Sequence, residues 1–262
     1  MRRDWICRIG ALLSVAIFLA VWVIDPVLSE DPTEQMLWRS VLFRLCGSAV
    51  FLFVLFYLEY RVVRMPARGW LWAFLPALAV AVNNAPILAL ITGEARVDRT
   101  DLLPLFALES LLIGAFEELA FRGVLFPALL EKRRDTRRGI FLTAVVSSAL
   151  FGLIHLANLA EGAGFGGTIL QVGYSFLIGG MCAIVLLKTG NLLLCILLHG
   201  VYDFGGHLIS TLGSGSLWDA PTVVLTAVLA VAVTAWMLWL LWRIEPGEAD
   251  RFYQKNQKEN KG

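Results

Sequence analysis

Long apolar runs alternate with short polar ones along the whole of this chain. A helix needs about 20 apolar residues to cross the hydrocarbon of a bilayer. Windows of that length predict eight spans, near 6–24, 37–59, 70–92, 102–128, 139–158, 168–187, 191–210 and 220–242. The expected fold class is therefore all-α, a polytopic membrane protein forming one transmembrane domain over residues 1–262. The seventh span is the most interrupted, by His199, Asp203 and His207. The first follows Arg2 and Arg3 as a signal peptide would. Its apolar run from Ile9 to Ile24 exceeds the roughly 7–15 residues of a signal core, which favours a retained anchor.

Charge tests the span count. With eight spans, one face collects Arg2, Arg3, Arg8, Arg61, Arg64, Arg68, Lys132, Arg133, Arg134, Arg137, Arg138, Lys188, Arg243, Arg251, Lys255, Lys258 and Lys261, seventeen cations. The other receives four, Arg39, Arg44, Arg96 and Arg99. By the positive-inside rule both termini lie in the cytoplasm and the protein is a multi-pass component of the inner (plasma) membrane. Trp70, Trp72, Trp218, Trp239 and Trp242 fall near span ends, as an aromatic belt does. The composition agrees, with 58% hydrophobic residues, 16% charged ones and a mean hydropathy of +0.72. A net charge of +1 offers nothing to nucleic acid. The four cysteines lie in or at the edge of apolar segments and form no CxxC pair, which argues against a disulfide framework or a zinc cluster and favours packing.

Against that apolar background a few polar residues stand out. Glu117, Glu118 and Arg122 lie within LIGAFEELAFRGVLF, where each charge costs about 3 kcal/mol even by translocon scales. Adjacent helical residues point about 100° apart, so the two glutamates face different ways. Glu118 pairs with Arg122 at i,i+4 and supports the fold, and Glu117 is the free carboxylate. The next span holds His155 after Phe151, and the seventh holds His199 with Asp203 one turn on. A carboxylate facing an imidazole can hold and deprotonate a water, and a second histidine with its Asp can polarise a carbonyl and steady an oxyanion. Together they would hydrolyse an amide inside the membrane. Two histidines and a carboxylate also make a plausible zinc set, although HExxH is absent. A transporter or proton conduit would use the same residue types, but no repeat or pair of broken helices is visible. Other polar positions have plainer readings. Cys195, His199 and Asp203 form a stripe on one helix, which cannot surround a substrate. Ser147, Ser148, Asn83 and Asn84 are expected to pack helices together. Glu109 either sits at the far interface or extends the polar path, and His207 is expected at the interface.

The motifs EELAFR (Glu117–Arg122), FGLIH (Phe151–His155) and HGVYD (His199–Asp203) resemble, in order, the EExxxR, FxxxH and HxxxN/D motifs of the CPBP family of intramembrane proteases. That family includes the Ras-converting CAAX prenyl endopeptidase and bacteriocin-processing enzymes. The resemblance covers about residues 100–210. It implies an eight-helix fold with a catalytic core in helices 4–7. It further implies a glutamic intramembrane endopeptidase acting on a membrane-associated protein or peptide within the lipid bilayer, without metal or other cofactor. Glu117 and His155 are implied to activate water, His199 and Asp203 to serve the oxyanion side, and Glu118, Arg122 and Phe151 to support them. The chain departs from the prenyl endopeptidases at Asp203, where they carry Asn. An ionised Asp cannot donate to an oxyanion, so this position either is protonated or only orients His199. A conduit and an inactive scaffold relative are the competing functions.

Overall fold

A computed structural model describes residues 2–66, 69–216 and 220–253. Arg68, Trp218, Lys255, Lys258 and Lys261 of the charge and aromatic patterns lie outside those residues. The chain folds into helices α1 (Arg2–Ile24), α2 (Pro32–Leu58), α3 (Leu71–Asn83), α4 (Ile87–Thr92), α5 (Leu103–Glu118), α6 (Phe126–Glu131), α7 (Arg137–Leu153), α8 (Phe165–Thr189), α9 (Leu192–Leu212), α10 (Ala220–Trp242) and α11 (Pro246–Asp250). Among the described residues, α2, α7 with its extension to Leu159, α8, α9 and α10 are long and apolar enough to cross a membrane. The all-α polytopic expectation holds. A two-stranded antiparallel pair, β1 (Ala95–Val97) with β2 (Gly213–Gly215), is a minor addition.

Local chemistry sets the element ends. Asp31 caps α2 by accepting from the Glu34 N–H at 2.8 Å, and Pro32 at the first helical position loses no hydrogen bond. That N–H holds the Asp31 carboxyl below its usual value. The span expected at 70–92 is instead broken. Asn84, Ala85 and Pro86 separate α3 from the short α4, because proline lacks an N–H and disfavours helix at the preceding residue. Asn83 Nδ2 donates to Thr226 Oγ1 on α10, and Asn84 Nδ2 to the Tyr202 carbonyl on α9, both at 2.8 Å. The two amides thus tie helices together as expected.

The two faces of the molecule are each knitted into one layer. On the basic face, Arg61 N donates to the Phe252 carbonyl at 3.0 Å and Arg64 N to the Gly190 carbonyl at 3.1 Å. Lys188 pairs with Glu248 at 3.0 Å and Arg134 with Asp250 at 3.1 Å. The segments that charge assigned to one side are therefore side by side. On the opposite face, Asp98 N and Arg99 N both donate to the Leu212 carbonyl, and Arg99 pairs with Asp31 at 2.9 Å. Beneath the basic face lies a fully buried apolar layer that includes Phe126, Leu130, Leu186, Leu192, Cys195 and Leu198. The outward sides of α2 and α10 carry exposed Leu, Phe and Val, the surface a bilayer would cover.

The α5–α9 interface positions the site. A Cβ at Gly114 would lie 2.8 Å from the Ile196 carbonyl oxygen and 2.9 Å from the Gly200 nitrogen. Only glycine lets the two backbones approach so closely. That contact brings His199 against the end of α5, where the glutamates are.

Candidate active site

Helix α5 does not stop at Glu118. It continues as a π-helical stretch over Leu119–Leu125 before returning to α-helix at Phe126. The wider winding directly follows the two glutamates, a place where such bulges occur at functional sites. Glu118 and Arg122 are 0% exposed, and Arg122 Nη1 donates to Glu118 Oε1 at 3.1 Å. The same oxygen accepts from His199 Nδ1 at 2.9 Å. The Arg122 guanidinium carbon lies 4.3 Å from the centre of the Phe151 ring. Its Nη2 occupies space that a Cβ on Gly179 would take, 2.5 Å away. Glu118 and Arg122 thus form the floor to which His199 and Phe151 are fastened.

Glu117 points the other way, as the 100° offset requires. Its side chain is 23% exposed and lines a cavity of about 210 Å³ shared with Phe151, His155, His199 and Asp203. His199 Nε2 is 3.7 Å from Glu117 Oε2 and 3.4 Å from Asp203 Oδ2. His155 lies just beyond α7, in a 3₁₀ stretch over Ile154–Leu159. Its Nδ1 is 3.0 Å from the Phe151 carbonyl oxygen. A carbonyl only accepts, so a proton belongs on Nδ1, and in the neutral ring Nε2 keeps a lone pair. Phe151 stands edge-on to both imidazoles, at centroid distances of 5.5 Å and 5.7 Å.

The structure therefore brings together every residue singled out from the three motifs. It leaves Cys195, Ser147 and Ser148 elsewhere. Cys195 is fully buried and its thiol lies 3.3 Å from the Cys182 carbonyl oxygen, outside the cavity lining. Ser147 and Ser148 are buried in packing. Among the described residues, Glu118, Cys182 and Cys195 are the one set of three potential ligands whose donor atoms all lie within 4.8 Å of one another. Glu118 in that set is already held by Arg122 and His199. Glu117, His155 and His199 are more widely spread than donors placed about 2 Å from one zinc ion would be.

Sequence reasoning placed one residue wrongly and missed others. Counting cations by side credits Arg44 to the opposite face. It sits about 18 Å along α2 at 1.5 Å per residue and lines the cavity. An arginine inside a predicted span was itself the signal. His207, expected at the interface, is exposed near the outer end of α9, where it also borders the cavity. Glu109 does extend the polar path, accepting from Ser40 Oγ at 2.5 Å. Tyr174, Tyr202, Asn158 and Gln171 complete the walls, and nothing in their local sequence marked them.

Residues 99–205 match the family model described as type II CAAX prenyl endopeptidase Rce1-like. The match runs from the turn before α5 into α9, and so contains Glu117, His155, His199 and Asp203. It leaves α1–α4, α10 and α11 outside. No curated protein and no solved structure matches the chain.

Proposed function

We propose, from the match of residues 99–205 to the family model described as type II CAAX prenyl endopeptidase Rce1-like, that the protein is an intramembrane endopeptidase that hydrolyses a peptide bond of a membrane-associated protein or peptide by a glutamate-activated water. The observation that carries this reading is the convergence of Glu117, His155 and His199 on one cavity, above a buried Glu118–Arg122 floor.

In the proposed reaction a water sits between the Glu117 carboxylate and His155 Nε2. Glu117 takes one proton as the water oxygen attacks the carbonyl carbon. His199, protonated on both nitrogens, donates Nδ1–H to Glu118 and turns Nε2–H toward the oxyanion. The proton held by Glu117 then passes to the leaving nitrogen, the C–N bond breaks, and a carboxylic acid and an amine form, the acid giving its remaining proton to the amine so that a carboxylate and an ammonium depart. Asp203, 3.4 Å from His199 Nε2, acts by orienting that ring rather than by donating to the oxyanion. No step requires a metal, so a zinc chelator should leave turnover unchanged. Inhibition reversed by added metal would replace the water-activation role of His155 with a ligand role.

The cavity also has a direction. Its lining residues Gln171, His207 and Glu117 lie about 9, 8 and 21 Å below the helix ends of the less basic face at 1.5 Å per residue. Toward the basic face the buried apolar layer closes it. A blind cavity suits a hydrolase better than a conduit. With the basic face in the cytoplasm of an inner-membrane protein, the scissile bond is presented from the opposite side.

The test uses purified full-length protein in lipid nanodiscs with membrane-anchored fluorogenic peptides. Glu117→Gln, His155→Ala and His199→Ala should each fold yet lose cleavage. Undiminished cleavage by Glu117→Gln would remove the proposed base. Glu117-dependent ion flux through vesicles without any hydrolysis would reverse the reading in favour of a conduit.

A further inference from the structure

Arg44 takes no part in the reaction just described, yet its guanidinium faces the same cavity. It is the one arginine or lysine among the residues lining it. Its Nη1 donates to Ser40 Oγ at 2.6 Å, and that hydroxyl in turn donates to Glu109. Its Nε is buried and has no partner. Among the described residues no carboxylate comes within 4 Å of it, although the buried Arg122 has one at 3.1 Å. A guanidinium deep in a bilayer with one of its donors engaged is costly, and its free edge has the fork geometry that receives a carboxylate through two parallel hydrogen bonds.

The rest of the cavity argues for where such a carboxylate goes. Glu117 from α5 and Asp203 from α9 face the space, as do His155, His199 and His207, while Glu109 reaches Arg44 only through Ser40. An anionic group is repelled from the Glu117 and Asp203 side and accepted at the α2 wall. A peptide bearing such a group is thereby held in one register relative to Glu117. Helix α2 lies outside the family match, so this contact belongs to the part of the chain that the family model does not describe.

We propose that Arg44 is the specificity-determining cation of the site, receiving a carboxylate of the substrate and so selecting which peptide bond meets the activated water. The inference rests on the peptidase reading for its meaning but not for its test. The carboxylate is either the free end of the peptide or an acidic side chain near the cut.

The experiment measures binding and cleavage separately, in nanodiscs, with acyl-anchored fluorescent peptides in three forms. One has a free C-terminal carboxylate, one a C-terminal amide, and one the amide with a glutamate near the end. Binding is read on the Glu117→Gln protein, with and without Arg44→Gln or Arg44→Lys. The expected result is at least tenfold tighter binding of a carboxylate-bearing form than of the plain amide. Arg44→Gln should abolish that preference and Arg44→Lys should retain part of it, which also controls for misfolding. Preference for the free-end form alone assigns the chain terminus, and equal preference for the glutamate form assigns a side chain. Equal binding of all three forms, or a preference that survives Arg44→Gln, overturns the inference. Cleavage is then compared between the otherwise native protein and Arg44→Gln. An Arg44-dependent preference with no cleavage by either protein sinks the peptidase reading and keeps the anion site. Cleavage of the acidic forms by Arg44→Gln with unchanged KM sinks the Arg44 role and keeps the peptidase.

Discussion

The adjacent glutamates divide their work by direction. Glu118 is 0% exposed and holds both Arg122 and His199, so Glu118→Ala strands a buried guanidinium and frees the imidazole. Breaking a buried pair from one side costs about 3–5 kcal/mol, and thermal unfolding in detergent should show that loss together with loss of turnover. Glu117→Gln should do the reverse, lowering turnover about 10²–10⁴-fold while the unfolding temperature stays near that of the native protein. The helical offset made this division legible from two letters of sequence. The Glu118–His199 bond was not legible, because it joins positions 81 residues apart and no local pattern encodes such a contact. Arg44 was open to reading but was counted only with the opposite face, since counting cations by side takes no account of depth.

At the scale of elements, apolar run length located the long helices well, and it failed where backbone chemistry intervened. It could not see that Asn84–Pro86 ends α3, nor that the fourth span unwinds into a π-turn after Glu118. Hydropathy averages over both. The α5–α9 contact through Gly114 is a second feature hidden from hydropathy, since glycine reads as neutral there. Gly114→Ala places a methyl 2.8 Å from a backbone carbonyl, so the helices must part. Overpacking of this kind costs about 1–3 kcal/mol. Because His199 is carried on the helix that moves, kcat should fall more than KM rises. A normal kcat in Gly114→Ala would show that the close approach does not position His199.

For the whole molecule, the alternation of charge predicted two faces, and the hydrogen bonds that knit each face agree with it. Which face holds the mouth was not in the sequence, because it depends on which half of the bundle is filled. In a protein otherwise free of cysteine, Asn158→Cys at the cavity wall should react with an impermeant maleimide on intact cells, and Lys132→Cys only after permeabilisation. Labelling of Asn158→Cys solely from the cytoplasm would invert the proposed access.

The packed layer of Phe126, Leu192 and Leu198 has one more consequence. It is an insulator as well as a seal: any proton that reaches or leaves Glu117 must be exchanged with the solution on the mouth side. In vesicles holding a pH gradient, turnover should therefore track the acidity of that compartment and ignore the other.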